Sequence, residues 1–202
     1  MNIALIGASG NAASRILAEL ARRGHRVTAV ARKAPGILPD GATFRAGDAN
    51  DPEALAPILR GHDAVISSVH FIASDVEKLI AAVRASGVPR YLVVGGAGSL
   101  EVAPGARLVD TPDFPAAYKA EATAGAAFLD RLRREETLDW TFLSPSALFV
   151  PGERTGTFRL GGDSLLVDAK GESRISFEDF AIALVDEIEA PKHVRQRFTV
   201  GY

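Results

Sequence analysis

"NIALIGASGNAASRIL", residues 2–17, decides how this chain is read. A short apolar run ends at Ile6, Gly7 and Gly10 follow three residues apart, and Ile16, Leu17 and Leu20 then fall on one helical face. A strand that turns directly into a helix needs glycine where its backbone must pass close to a neighbour or a ligand, because no Cβ intervenes. The helix aims its first free N–H groups and the positive end of its dipole at that turn, an arrangement that receives a diphosphate. Ala13 is small enough to let helix and strand pack closely, and Ser9 and Asn11 add side-chain donors. A ligand-free tight turn is the other reading of a bare glycine pair. The position of this pair, after the first strand of an alternating β and α chain, favours the phosphate loop.

Outward from this loop, short β-rich runs alternate with segments of helical period, which predicts parallel strands joined by crossover helices. Strands are expected at Ile3 to Ile6, Arg26 to Ala31, Thr43 to Ala46, Ala64 to Ser67, Tyr91 to Val94 and Trp140 to Leu143. Val76, Leu79, Ile80 and Val83 share one helical face, and Phe128, Leu129 and Leu132 mark a long helix before Trp140. After Pro145 the pattern changes to a Gly-rich loop, a strand expected at Ser164 to Val167, a helix burying Phe177, Phe180, Ala181, Leu184, Val185 and Ile188, and a closing strand at Arg197 to Val200. The expected fold is a Rossmann-like, doubly wound parallel sheet. It forms one NAD(P)-binding domain over residues 1–202, with 145–202 contributing a small substrate-side region.

Composition narrows the ligand. A length of 202 residues with 47% hydrophobic content suits one well-buried domain better than two. The net charge of −2, with no dense block among the 23 basic residues, offers nothing to nucleic acid or an anionic membrane, so a small-molecule partner is expected. Without cysteine there are no disulfides, thiolate nucleophiles or thiolate metal sites, and no metal centre is expected. That composition suits a reducing compartment, and the cytoplasm is the expected location. The first residues lack the basic region of a leader, and no apolar stretch approaches the roughly 20 residues of a membrane span.

The second strand, "RVTAVARK", bears on which nucleotide is favoured. An acid at its end would hold the two ribose hydroxyls of NAD, but Arg32 and Lys33 stand there instead. A guanidinium suits the 2′-phosphate of NADP, and a solvated basic turn is the alternative. Asp48, in "AGDAND", either receives an adenine amino group or caps a turn. His70 follows the fourth strand towards the expected nicotinamide position, but it has no carboxylate or second histidine near it in sequence, which favours a structural role.

The stretches "IALIGASGNAASRILAELARRGH", "GDANDPEAL", "VVGGAGSL", "LDWTFLSPSALFVPGERTG" and "ISFEDFAIALVDEIE", in that order, cover nearly the whole chain. On them the chain resembles the atypical, NmrA-like short-chain dehydrogenase/reductases, in particular their NADH-flavin reductase group, akin to biliverdin reductase B. The resemblance implies NADPH, with NAD as the alternative, and hydride transfer to a flavin or quinone-like acceptor, with FMN or FAD as candidate substrates. Related sequences also include cofactor-sensing regulators without chemistry and sugar-nucleotide epimerases or dehydratases.

The candidate cofactor-binding set comprises Gly7, Ala8, Ser9, Gly10, Asn11, Ala12, Arg32, Asp48, Ala49, Ser67, Ser68, Val69, Gly95, Gly96, Pro145 and Ser146. Candidate catalytic residues are Ser99, Tyr118 and Lys119. Standard relatives use Ser, Tyr and a Lys four residues after the Tyr, but Tyr118 plus four is Ala122 and Lys119 minus four is Pro115. Neighbouring helical residues diverge by about 100°, so at most one of Tyr118 and Lys119 enters a cleft. Ser99 either hydrogen-bonds a substrate carbonyl or caps a loop, Lys119 holds the ribose or is solvated, and Tyr118 lines the pocket or packs. Phe149 and the "GERTG" loop at 152–156 form either a wall or lid over the acceptor or a purely structural loop.

Overall fold

A computed structural model describes all of residues 1–202. The sheet follows from alternation. In β1 (Asn2–Ile6), Ile3 and Leu5 point to one face and Ala4 and Ile6 to the other, and all four are buried because helices cover both faces. The same double burial holds along β2 (Arg26–Ala31), β4 (Ala64–Ser67), β5 (Arg90–Val94) and β8 (Asp139–Pro145). With β3 (Ala42–Ala46), β10 (Arg159–Gly161) and β12 (Gln196–Gly201), they form an eight-stranded sheet in the order β10-β12-β8-β5-β4-β1-β2-β3. Every pairing is parallel except β10 with β12.

Two helices, α1 (Asn11–Arg22) and α5 (Phe177–Glu189), cover one face. Ile16, Leu17 and Leu20 join Phe180, Leu184 and Val185 over Ile3, Leu5, Ile66 and Phe198. The other face carries α2 (Pro52–Leu59), α3 (Val76–Ser86) and α4 (Ala116–Leu132), whose Leu55, Leu79, Val83, Phe128 and Leu132 pack on Ile6, Val65, Tyr91 and Phe142. Asp51 caps α2, Asp75 caps α3 and Ser176 caps α5. No side chain caps α1 or α4.

The chain runs from β1 outward through β2 to β3, then returns to place β4 on the opposite side of β1. That reversal opens a crevice beyond the carboxyl ends of β1 and β4, where open α/β sheets bind their ligands.

One expected strand is corrected. Residues 164–167 contribute only an isolated bridge from Ser164 to Glu101, and the strand that pairs with β12 is β10, some five residues earlier. Glycine explains the exchange. Gly161 and Gly201 lie so close to Leu166 that an added Cβ would meet its side chain at 3.0 and 3.1 Å, so the apolar 165–167 run folds back over β10 and β12 instead of extending the sheet. Two small pairings also escaped the periodicity: the hairpin of β6 (Glu101–Ala103) with β7 (Ala106–Arg107), and the parallel pair of β9 (Leu148–Val150) with β11 (Arg174–Ser176). Strands of two or three residues are too short to show a period.

Candidate functional site

A cleft of about 1210 Å³ fills the crevice and continues along α4 to the segments that follow β8 and β10. At its β1 end the two glycines have different duties. Gly7 adopts φ +80°, and a Cβ there would stand 2.1 Å from the Ser68 carbonyl oxygen, so this glycine is required by the neighbouring chain rather than by a ligand. Gly10 has φ −74°, and its added Cβ would meet nothing nearer than 3.4 Å. It stands at the uncapped N-terminus of α1, and Gly7, Ser9, Gly10, Asn11 and Ala12 all line the cleft. Ala8 does not. It is buried in the core.

At the β2 end, Arg32 lines the cleft and Lys33 does not. Asp48 lines it too while accepting the Asn50 N–H at 2.9 Å, so it does cap a turn. Ala49 is beside it. Asn50, missed in the sequence, donates to the Ala73 carbonyl at 2.9 Å and accepts from the Asp75 N–H at 2.8 Å, which ties this wall to the start of α3.

In the middle, Ser68, Val69, His70, Gly95 and Gly96 line the cleft. Ser67 lies behind it, sharing a 2.9 Å hydrogen bond with the Tyr91 hydroxyl, whose pKa burial pushes above its ordinary range. Pro145 and Ser146 do not line the cleft. Pro145 is still paired with Val200 inside the sheet, and the Ser146 hydroxyl donates to the Val200 carbonyl at 3.0 Å. The chain reaches the cleft only afterwards, at Ala147, Leu148 and Phe149.

The far end separates the three catalytic candidates. Tyr118, Glu121, Ala122 and Gly125 lie three, four and seven residues apart on one face of α4, and all four line the cleft. Lys119 turns away, donates to the Val109 carbonyl, and stands 5.8 Å from the centre of the Phe114 ring. Ser99 is buried behind the wall, 3.4 Å from an Arg197 nitrogen. Of Ser99, Tyr118 and Lys119, only Tyr118 faces the cleft.

His70 is not alone, as the sequence suggested. Glu121, 51 residues on, stands 3.5 Å from its Nδ1 and accepts the N–H groups of Phe71 and Ile72 at 2.7 and 3.0 Å. Opposite α4, Phe149 packs edge-on against Phe177 at 4.5 Å between ring centres and, tilted by 48°, against Phe180 at 4.7 Å. Residues 152–156 do not cover the cleft. Arg154 pairs with Glu19 at 3.0 Å, the Thr155 hydroxyl donates to Asp179 at 2.6 Å, and the Gly152 N–H donates to Glu178 at 2.9 Å, fastening the loop to α1 and α5. Burial disfavours the Glu178 charge, but Arg15 and the Gly152 N–H outweigh it and hold the carboxyl below the usual range.

Residues 7–191 match the family described as NAD(P)H-binding. The chain belongs to the NAD(P)H-binding family. This agrees with its resemblance to the atypical, NmrA-like short-chain dehydrogenase/reductases. Among solved structures, this NAD(P)H-binding protein is similar to a candidate exported protein from Burkholderia pseudomallei, with 48% identity, TM-score 0.91 and all of both chains covered. It is similar to a candidate epimerase from Bacteroides thetaiotaomicron, with 41% identity, TM-score 0.95, all of this chain and 96% of that one. It is also similar to a candidate NADH-flavin reductase from Streptococcus pneumoniae, with 38% identity, TM-score 0.87, all of this chain and 99% of that one. No helix of the NAD(P)H-binding protein is long and apolar enough to cross a membrane.

Proposed function

We propose that this protein transfers a hydride from NADPH to a flavin or quinone-like acceptor. The observation that carries the reading is that one cleft joins the uncapped end of α1 and Arg32 to an aromatic and aliphatic wall of Phe114, Tyr118, Leu148 and Phe149. Its residues fit a dinucleotide: Gly10 leaves backbone room at the α1 N-terminus, Arg32 offers a charge for a 2′-phosphate, and Gly96, where an added Cβ would meet only the Phe71 ring at 3.9 Å, presents no side chain where a flat ring would approach. When bound, the nicotinamide supplies two electrons and one proton as hydride, and any further proton comes from solvent. The α1 N–H groups and Arg32 would hold the charged half, and the aromatic wall would orient the acceptor. In this reading residues 145–202 supply the substrate side, and a cysteine-free chain suits the reducing cytoplasm.

A flavin or quinone spreads negative charge over its rings and does not depend on a positioned acid, whereas a simple ketone does. The turning away of Lys119 and Ser99 supports acceptors of that kind. The same observation favours a second reading, a sensor that binds NADP and does not turn it over. An epimerase or dehydratase ranks behind both, since the Tyr and Lys spacing is absent. Mixing the protein with NADPH and either a flavin or a quinone while following nicotinamide absorbance separates the readings: oxidation supports the reductase, and tight binding without oxidation supports the sensor.

Two substitutions follow. Arg32→Asp is expected to weaken NADPH, but not NADH, by on the order of 10- to 100-fold, the equivalent of a charge-assisted contact of about 1.5 to 3 kcal/mol. Calorimetric titration with both nucleotides checks it, and equal affinities in both proteins would count against an NADPH preference. Tyr118→Phe is expected to change turnover only a few-fold, whereas losing a general acid slows a reaction by about 100- to 10,000-fold. A collapse of turnover with NADPH affinity intact would point to tyrosine-dependent chemistry.

A further inference from the structure

The chain between β4 and α3 forms one wall of the cleft, which Ser68, Val69, His70, Phe71, Ala73 and Ser74 all line. Its only regular structure is a single turn of 3-10 helix at Phe71–Ala73. Within that turn the Ala73 N–H donates to the His70 carbonyl at 3.2 Å and the Ser74 N–H to the Phe71 carbonyl at 3.4 Å. The N–H groups that open such a turn have no backbone partner. Glu121, reaching across from α4, accepts both: one carboxylate oxygen receives the Phe71 N–H at 2.7 Å and the other the Ile72 N–H at 3.0 Å. Asn50 holds the far end through the Ala73 carbonyl and the Asp75 N–H. The Phe71 ring is buried edge-on against Phe128, 5.3 Å between ring centres, and so close to Gly125 that a Cβ there would stand 2.9 Å from it. Its other edge borders the space over Gly96, 3.9 Å from where a Cβ would be. The ring thus fixes where the turn sits, and the carboxylate fixes how it is rotated.

We infer that Glu121 is a positioning residue: by holding the Phe71 and Ile72 N–H groups it sets the wall against which a flat ring over Gly96 is oriented. The inference rests on the hydride-transfer reading and adds to it a residue that acts through the wall, not on the acceptor. Glu121 also lies 3.5 Å from His70 Nδ1, but His70 is 86% exposed, and an ion pair so open to water contributes little. The two backbone bonds are charge-assisted and belong to a fixed turn, so they carry the effect. In the hydride-transfer reading the charged half of the cofactor is held at the other end of the cleft, by α1 and Arg32. Loosening the wall therefore leaves most of the binding in place and lets the reacting ring stray, and a displacement of about 1 Å can cost up to roughly 100-fold in rate.

Glu121→Ala is expected to lower kcat for naphthoquinone reduction by on the order of 10-fold while changing NADPH affinity, read by calorimetric titration, by less than about 3-fold. Amide exchange followed by mass spectrometry should quicken by about 10-fold in the peptide spanning 68–75 and stay unchanged elsewhere, which also shows that the variant is folded. Glu121→Gln keeps one acceptor oxygen and should recover part of both effects. His70→Gln, which removes the ion pair and leaves both backbone bonds, should cost less than Glu121→Ala in both measurements. Exchange in 68–75 unmoved by Glu121→Ala would overturn the inference, as would an intact kcat despite faster exchange. A His70→Gln protein matching Glu121→Ala would overturn it in favour of the ion pair, and NADPH affinity falling together with kcat would overturn it in favour of cofactor binding. In each of these cases oxidation of NADPH by the unmodified protein leaves the hydride-transfer reading standing. Absence of oxidation by that protein with naphthoquinone and with FMN, despite NADPH binding, overturns that reading and the inference with it.

Discussion

A Gly10→Val protein is expected to fold and to lose NADPH affinity by at least about 100-fold, equivalent to roughly 2.7 kcal/mol. The backbone at Gly10 is in the ordinary extended region, and a Cβ there meets its nearest neighbour, the Gly7 carbonyl oxygen, at 3.4 Å. The added side chain therefore occupies the mouth of the cleft rather than the core. That mouth is where the uncapped N–H groups of α1 and its dipole offer the protein's anion site, and a branched side chain keeps a diphosphate away from them. Gly7→Ala should do the opposite kind of damage. Its Cβ would collide with the Ser68 carbonyl at 2.1 Å in a left-handed conformation that L side chains avoid, so the junction of β1 and β4 must shift. Thermal unfolding measured beside NADPH titration distinguishes the two. A stable Gly10→Val protein with normal NADPH affinity would remove the phosphate loop from the site.

The second large effect lies away from the cleft. Arg90, at the start of β5, is buried and pairs with Glu187 of α5 at 3.0 Å, while Glu187 also receives His193 Nδ1 at 2.8 Å and the backbone N–H groups of Lys192 and His193. Burial lowers the Arg90 pKa against the pull of Glu187 and, less, of Asp139; Nη1 donates to the Asp139 carbonyl and the Thr141 hydroxyl, both neutral, and Nε has no partner, so Glu187 is the main counter-charge. Glu187→Ala leaves that charge buried and unbalanced, at an expected cost of about 3 to 5 kcal/mol. For a chain of this size that corresponds to a fall of roughly 6 to 20 °C in Tm. Glu187→Gln, which retains shape and part of the hydrogen bonding, should cost less. A calorimetric scan checks both, and a shift within about 2 °C for Glu187→Ala, under roughly 1 kcal/mol, would show that water or relaxation satisfies Arg90.

How much of the site was legible depended on how far apart in sequence its partners lie. The phosphate loop was readable because strand, turn and helix are consecutive, so the two glycines and the apolar face of α1 appear in one window. The sequence nevertheless treated Gly7 and Gly10 as equivalents. Both border the cleft, but only the approach of the Ser68 carbonyl, brought in when β4 pairs with β1, shows that Gly7 is fixed by the neighbouring chain while Gly10 has room for a Cβ. Helical geometry also showed that Tyr118 and Lys119 cannot both face one pocket, but which of them does so was set by how α4 packs, with Gly125 against the Phe71 ring.

The sequence by itself determined the parallel α/β architecture, the loop at the head of α1 and the basic residue after β2, because each is written in a local period or a fixed offset along one element. Tertiary structure alone decided that Ser99 is held behind the wall near Arg197, 98 residues away, that His70 meets Glu121, that residues 152–156 are fastened to α1 and α5, and that Phe149 and Phe114 face one cleft. Such pairings follow from which elements the folded sheet makes neighbours, and side-chain periodicity records the face a residue uses without recording what stands opposite it.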